Sequence, residues 1–386
     1  MTMTLNRRYC APAAVAVALA LLLSACMPGT PVPVAPATVE PTPTETAEPV
    51  ATAPEPRMNL TCDEIASPAS ASAVLSEPVT VRSAAATKLG AYPEMPSLFH
   101  VRTLGGLVCE WSNGVPESSS RGYAPGYVGA SVSILPEADA QWARFVSYYG
   151  VVDDRQLYCF SSTTVDCYLD TLINGYWVEA RIQGLNVDPT LDESGLLAGA
   201  APFFDRLIAA VEGTGAPGPR WTPPADTLAL PTDCDAYIGV AEVQSILGIS
   251  DPLENSSGGG GGWSQGGGAV EDSSAGGCGW FFVGEDRLAG GIASLPGGAW
   301  AAAEARAAGV APYAPEDLVL TGLVEGETAY IRCTPGDQEC YVDITIGGNW
   351  VQLVVYAEES GGALASVNRR TGVTAIAESV LARLRP

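Results

Sequence analysis

Two aspartates stand in matched surroundings. Asp170 lies in CYLDTLINGYWV, residues 167–178, and Asp343 in CYVDITIGGNWV, residues 340–351; seven of the twelve positions are identical and no gap is needed. A carboxylate so placed is a candidate general acid or base, but an acid pair needs a second carboxyl group about 5–10 Å away. Sequence alone cannot show one, so the favoured reading of both is a polar residue on the exposed face of a sheet. Tyr168, Trp177, Tyr341 and Trp350 recur with them. Aromatic residues in such runs more often pack a core or a sheet face than line a ligand shelf. Together Tyr168, Asp170, Trp177, Tyr341, Asp343 and Trp350 form the candidate ligand face, and no catalytic residue is assigned.

Other chemistries have thinner support. His100 is the only histidine. It cannot serve both phrases, no G-x-S-x-G elbow accompanies it, and a surface loop is the better place for it. The stretch 186–195, NVDPTLDESG, holds acids without the alternate-residue spacing of a calcium loop. Residues 255–277 are glycine-rich but lack the Gly-Lys-Ser/Thr ending that grips phosphate. They read as a disordered insertion around Trp263, which nothing local can bury. No metal and no cofactor are expected.

Cys10 and Cys26 aside, the cysteines fall as Cys62, Cys109, Cys159 and Cys167, then Cys234, Cys278, Cys333 and Cys340. The number is even, there is no C-x-x-C pair, and disulfides suit them better than zinc. Four cysteines allow three pairings. The expected one is Cys62–Cys109 with Cys159–Cys167, repeated as Cys234–Cys278 with Cys333–Cys340.

Landmarks between the two sets keep the same order. Cys62-Asp63 matches Cys234-Asp235, Cys109-Glu110-Trp111 matches Cys278-Gly279-Trp280, and Trp142 matches Trp300. Such collinearity marks an internal duplication. Module one spans 57–213, a linker 214–224, and module two 225–386. Each module opens with Asp63 or Asp235 placed to cap an apolar helix that ends near Leu75 or Gly248. The quoted phrase folds as a hairpin turning at Asn174-Gly175 or Gly347-Gly348. A helix over about 202–212 or 371–384 closes the module. The fold class is α+β: two tandem homologous modules, each an antiparallel sheet covered by helices and stapled by two disulfides.

Charge narrows the partners. Nineteen basic residues, of which only Lys88 is a lysine, face 43 acidic ones, for a net charge of −24. Such a surface repels phosphate backbones, so no nucleic acid is expected, and it repels anionic headgroups unless an anchor holds it. The N-terminus supplies that anchor. Arg7 and Arg8 precede an apolar run from Ala11 to Ala25, too short to span a bilayer, and then Cys26. Leu23-Ser24-Ala25-Cys26 resembles the lipobox of bacterial lipoproteins. That resemblance implies a signal peptide over 1–25, lipid (palmitate) on Cys26 holding the protein to the membrane, and an extracytoplasmic location. Residues 26–56 then form a disordered tether rich in proline and threonine.

Cysteine beside an acid, the helix GVAEVQSILG at 239–248, Cys-x-Trp, and TGLVEGETAYIRC at 321–333 resemble an uncharacterised family of actinobacterial Cys-containing lipoprotein modules. More faintly, they resemble the extracellular sensor domains of actinobacterial serine/threonine kinases. The resemblance implies α+β modules with two disulfides and no established catalysis. The expectation is a surface-anchored lipoprotein, not an enzyme, that binds or senses an unknown envelope ligand or protein. The alternatives are a passive structural or interaction protein of the envelope and a carboxylate-dependent envelope hydrolase.

Overall fold

The repeated phrases fold as strand, two-residue turn and strand, and each hairpin sits inside its own antiparallel sheet. This is seen in a computed structural model that describes residues 52–82, 95–115, 126–151, 155–161, 164–257, 264–273, 276–285, 287–308, 315–334, 336–356 and 363–385. The signal segment, Cys26, the tether up to residue 51 and Trp263 lie outside the described residues. At the two turns Asn174 and Gly175 have φ of 52° and 79°, and Gly347 and Gly348 have 50° and 81°. Both central positions are left-handed, the geometry that matches the twist of the flanking strands.

In the first half, helices α1 (Cys62–Ile65) and α2 (Pro68–Leu75) precede β1 (Thr80–Val81). A 3-10 turn (Met95–Phe99) and the short α3 (His100–Thr103) lead to β2 (Leu107–Ser112) and β3 (Gly129–Leu135). Then come α4 (Asp139–Tyr149), β4 (Arg155–Ser161), β5 (Val165–Ile173), β6 (Tyr176–Leu185) and α5 (Glu193–Glu212). The second half runs α6 (Cys234–Tyr237), α7 (Val240–Leu247), β7 (Leu253–Ser257), α8 (Gln265–Asp272), β8 (Gly277–Phe282), β9 (Leu288–Leu295) and α9 (Ala299–Ala307). It ends with β10 (Glu316–Asp317), β11 (Thr328–Cys333), β12 (Cys340–Ile346), β13 (Asn349–Val355) and α10 (Arg369–Leu384). The sheet orders are β1-β2-β3-β6-β5-β4 and β7-β8-β9-β13-β12-β11-β10. The second order repeats the first strand for strand and adds β10 at the end.

All four expected disulfides are present: Cys62–Cys109, Cys159–Cys167, Cys234–Cys278 and Cys333–Cys340. One face of each sheet packs on its closing helix. Phe203, Phe204 and Leu207 of α5 bury against Trp111, Leu169 and Ile182, while Val373, Ile376 and Val380 of α10 bury against Val342, Ile344 and Leu353.

Several local expectations need correction. Asp63 and Asp235 sit inside the first helical turn; the caps are Thr61, which accepts from the Glu64 N–H, and Asp233, which accepts from the Asp235 N–H. The apolar run is broken into two short helices in each half, ending at left-handed Ser76 and Gly248. Helix α5 starts well before residue 202, because Asp192 caps it through the Gly195 N–H at 2.9 Å and Pro202 lies within the helix rather than opening it. Within 255–277 the described residues form the end of β7, the whole of α8 and the start of β8, so 265–272 is helix rather than disordered insertion; residues 258–263 and 274–275 lie outside the described residues. Helix α8 is held because Gln265 and Ala269 are buried against the first half.

That contact is one side of a reciprocal arrangement. Ala269 of α8 joins Trp142, Phe145 and Trp177 on the second face of the first sheet. The Gln265 amide donates to the carbonyls of Trp177 at 2.7 Å and Ser133 at 3.1 Å. In return, Phe99 of the 3-10 turn packs edge-on against Trp300 and Trp350 of the second half, with centroids 5.6 and 5.7 Å away.

Candidate functional site

A two-residue turn fixes the pairing of a hairpin, so Asp170 lies opposite Glu179 and Asp343 opposite Gln352. Each aspartate accepts a hydrogen bond from the indole of its own hairpin: Trp177 Nε1 to Asp170 Oδ1 and Trp350 Nε1 to Asp343 Oδ1, both 2.9 Å. The indoles are buried and lie on the face covered by α4 or α9. The carboxylates therefore do not stand on an open sheet face. They are half-buried acceptors for tryptophans that would otherwise carry an unsatisfied N–H into the core.

The two sites have diverged. In the second half Gln352 donates to Asp343 Oδ1 at 2.7 Å, and Arg332 Nε donates to Oδ2 at 3.3 Å. The Arg332 guanidinium also lies over the Tyr341 ring at 4.8 Å, and the Tyr341 hydroxyl donates to Glu339 at 2.6 Å. Burial and the neighbouring Glu339 push the Tyr341 phenol up, so it stays protonated. Arg332, Asp343, Trp350, Tyr330 and Arg306 line a cavity of about 20 Å³, and Arg332 Nη2 has no hydrogen-bond partner among the described residues. This is room for a single water molecule.

In the first half the register puts Gln156 and Tyr158 where the second has Tyr330 and Arg332. Asp170 thus has no arginine at that position and faces Glu179 across the ladder. Burial first, and then the charge of Glu179, push its carboxyl up to about 7. Tyr168 stacks between neighbours: Tyr158 and Phe160 lie parallel to it at 5.1 and 5.6 Å, and the Arg181 guanidinium lies over it at 4.8 Å. Tyr158 and Phe160 belong to β4, the last strand of the sheet, and are exposed.

His100 is not a surface residue. It is 4% exposed, its Nδ1 lies 3.2 Å from the Ser273 hydroxyl across the boundary between halves, and burial lowers it to about 4. In 186–195 the acids close turns: Asp188 accepts from Thr190, and Asp192 caps α5. Sequence reasoning missed Glu179, Arg332 and the exposed aromatic edge. Glu179 was within reach, since a turn at 174–175 pairs positions summing to 349, and 170 + 179 does so.

No family model matches this chain, and no curated protein does. Among solved structures it is matched by DynU16, a protein of the dynemicin biosynthetic locus, at 14% identity over 79% of this chain and 96% of that one. The TM-score is 0.11, and no argument rests on this likeness.

Proposed function

We propose that this chain is a lipid-anchored, non-enzymatic binding or sensing module of the bacterial cell envelope, held to the membrane through Cys26. One observation carries the binding half of the proposal. The carboxylates that recur in both halves are engaged by indole N–H groups at 2.9 Å, while among the described residues the large aromatic side chains left exposed, Tyr148, Tyr149, Tyr158 and Phe160, lie in the first half. Concentrated exposed apolar surface on a protein of net charge −24 suits contact with a partner better than catalysis. The LSAC signature supports the anchor, and four disulfides suit an oxidising compartment. Two experiments test the proposal. Growth with a clickable palmitate analogue should label the chain, and Cys26→Ser should abolish the label and release the protein from membranes. A thermal-shift screen against envelope proteins and fragments should give at least one shift. An unlabelled chain that also ignores every envelope component would sink it.

A second reading, a carboxylate-dependent hydrolase, draws on the Asp170–Glu179 pair and the raised Asp170 carboxyl. It requires an envelope-hydrolysing activity that Asp170→Asn removes.

A further inference from the structure

The two halves differ at one sheet edge. In the first, five residues (150–154) join α4 to β4; in the second, twenty (308–327) join α9 to β11. The longer connection carries β10, which adds to β11 with Glu316 opposite Ile331 and Asp317 opposite Tyr330, and the Leu318 N–H donates to the Ala329 carbonyl at 2.9 Å. Arg370 holds Glu316 at 3.0 Å, Arg306 holds Asp317 at 2.8 Å, and Leu320 sinks into the core. The second half thus covers the outer edge of β11 with its own chain. Aligning Cys159 with Cys333 makes Leu157 and Gln156 of β4 the counterparts of Ile331 and Tyr330. Among the described residues β4 ends the first sheet, with no strand beyond it.

Edge strands that must stay alone are shortened, bulged, covered, or armed with charge, above all lysine, or with proline. Strand β4 reads RQLYCFS: seven residues without lysine or proline, whose one charge, Arg155, stands at its first position. Instead Tyr158 and Phe160 are 37% and 43% exposed, and Tyr148 and Tyr149 at the end of α4 are 62% and 49% exposed. Tyr148 stands six residues after Trp142, as Arg306 stands six after Trp300. The cation that holds an acid in the second half has become a phenol in the first.

We infer that the outer edge of β4 takes an extended segment of a partner protein by strand addition, in the position β10 fills in the second half. The backbone of Leu157 and its neighbours supplies the ladder, and the exposed rings supply apolar contact. The segment carries aliphatic or aromatic side chains at alternate positions, because rings replace the arginine that receives Asp317. It is neutral or basic, because the net charge of −24 repels an acidic one. This deepens the binding proposal above and rests on it.

The test uses the full chain in detergent micelles and two fluorescein-labelled peptides. APEDLVLT copies residues 314–321; APTYLVLT replaces its acid pair. APTYLVLT should raise anisotropy saturably, with APEDLVLT at least about fivefold weaker. Hydrogen exchange should slow at 155–161 on binding. Tyr158→Lys with Phe160→Lys should abolish binding, and if that variant folds poorly, Tyr148→Ala with Tyr149→Ala, on the exposed helix end, should weaken it severalfold. No saturable binding of either peptide, protection confined to other residues, or β4 already protected by a second copy in a sedimenting dimer would each overturn the inference. None of these results touches the anchor, which fails separately if Cys26 is unlabelled.

Discussion

The Arg102 guanidinium binds the Glu304 carboxylate across the boundary between the halves, with Nη1 2.7 and 2.8 Å from its two oxygens. Glu271 does the reverse, binding Arg144 at 2.7 Å. Arg102 lies seven residues before Cys109, and Glu271 seven before Cys278. Equivalent positions of a duplicated interface thus carry opposite charges. Two copies of the first half packed the same way would set Arg102 beside Arg144, and two copies of the second would set Glu271 beside Glu304. The pairing of unlike halves is selected by repulsion in the like pairings as well as by attraction.

Charge reversal should expose this selection. Arg102→Glu puts like charges together and is expected to cost about 0.5–1 kcal/mol, the scale of half-exposed pairs. Adding Glu304→Arg should recover most of it. Urea unfolding of the two single variants and the double variant measures the coupling; additive losses would remove the pair from the interface account.

The same substitution at the two hairpins should have opposite consequences. Asp343→Asn leaves the Arg332 guanidinium, with 7% of its side chain exposed, without its counter-charge, and is expected to cost about 3 kcal/mol. Asp170→Asn keeps an oxygen for the Trp177 indole and removes a charge that Glu179 opposes, so at pH 8 it should be neutral or stabilising. Denaturant midpoints at that pH decide it, and equal losses at both sites would refute the divergence.

The repeat explains why so much was legible. Cysteine order, the hairpin turns and the closing helices are local or periodic signals, and the second copy confirms each of them. The α+β class with its disulfide pairing followed. Contacts between the halves were not legible, because Phe99, His100 and Gln265 are buried by residues distant in sequence. That is why His100 read as a loop residue and the glycine-rich stretch as disordered. The hydrogen bond from Trp177 to Asp170 was hidden for a different reason. Strand alternation places both residues on one face without saying that α4 covers it.

Titration offers a further check because two buried groups pull in opposite directions. The Asp170 carboxyl rises from its ordinary 3.8 to about 7, so the folded chain binds this proton more tightly, and stability present at low pH is lost as pH climbs through that window. Burial lowers His100 from 6.5 to about 4, so the unfolded chain binds that proton more tightly, and stability is lost as pH falls through 6.5 towards 4. Between pH 4 and 6.5 the two slopes largely cancel. Asp170→Asn should leave stability rising with pH over that range, and His100→Gln should leave it falling. Unfolding free energies at half-unit intervals test both signs, and unchanged slopes in both variants would show that neither group is shifted.

The disulfides differ in what they close. Cys62–Cys109 spans 47 residues and ties α1 to β2, whereas Cys159–Cys167 spans 8 and joins directly opposed residues on β4 and β5. Chain entropy assigns about 4 kcal/mol to the long loop and about 2.5 to the short one. Because the ladder already holds β4 to β5, loss of the short bridge should act locally. Cys159→Ala with Cys167→Ala is expected to speed amide exchange in 155–161 far more than in β2 or β3. Cys62→Ala with Cys109→Ala should lower the melting temperature of the whole first half. If the short-loop variant instead loosens all the strands equally, the short bridge stabilises the whole first half as the long one does, and the distinction between a local and a global bridge fails.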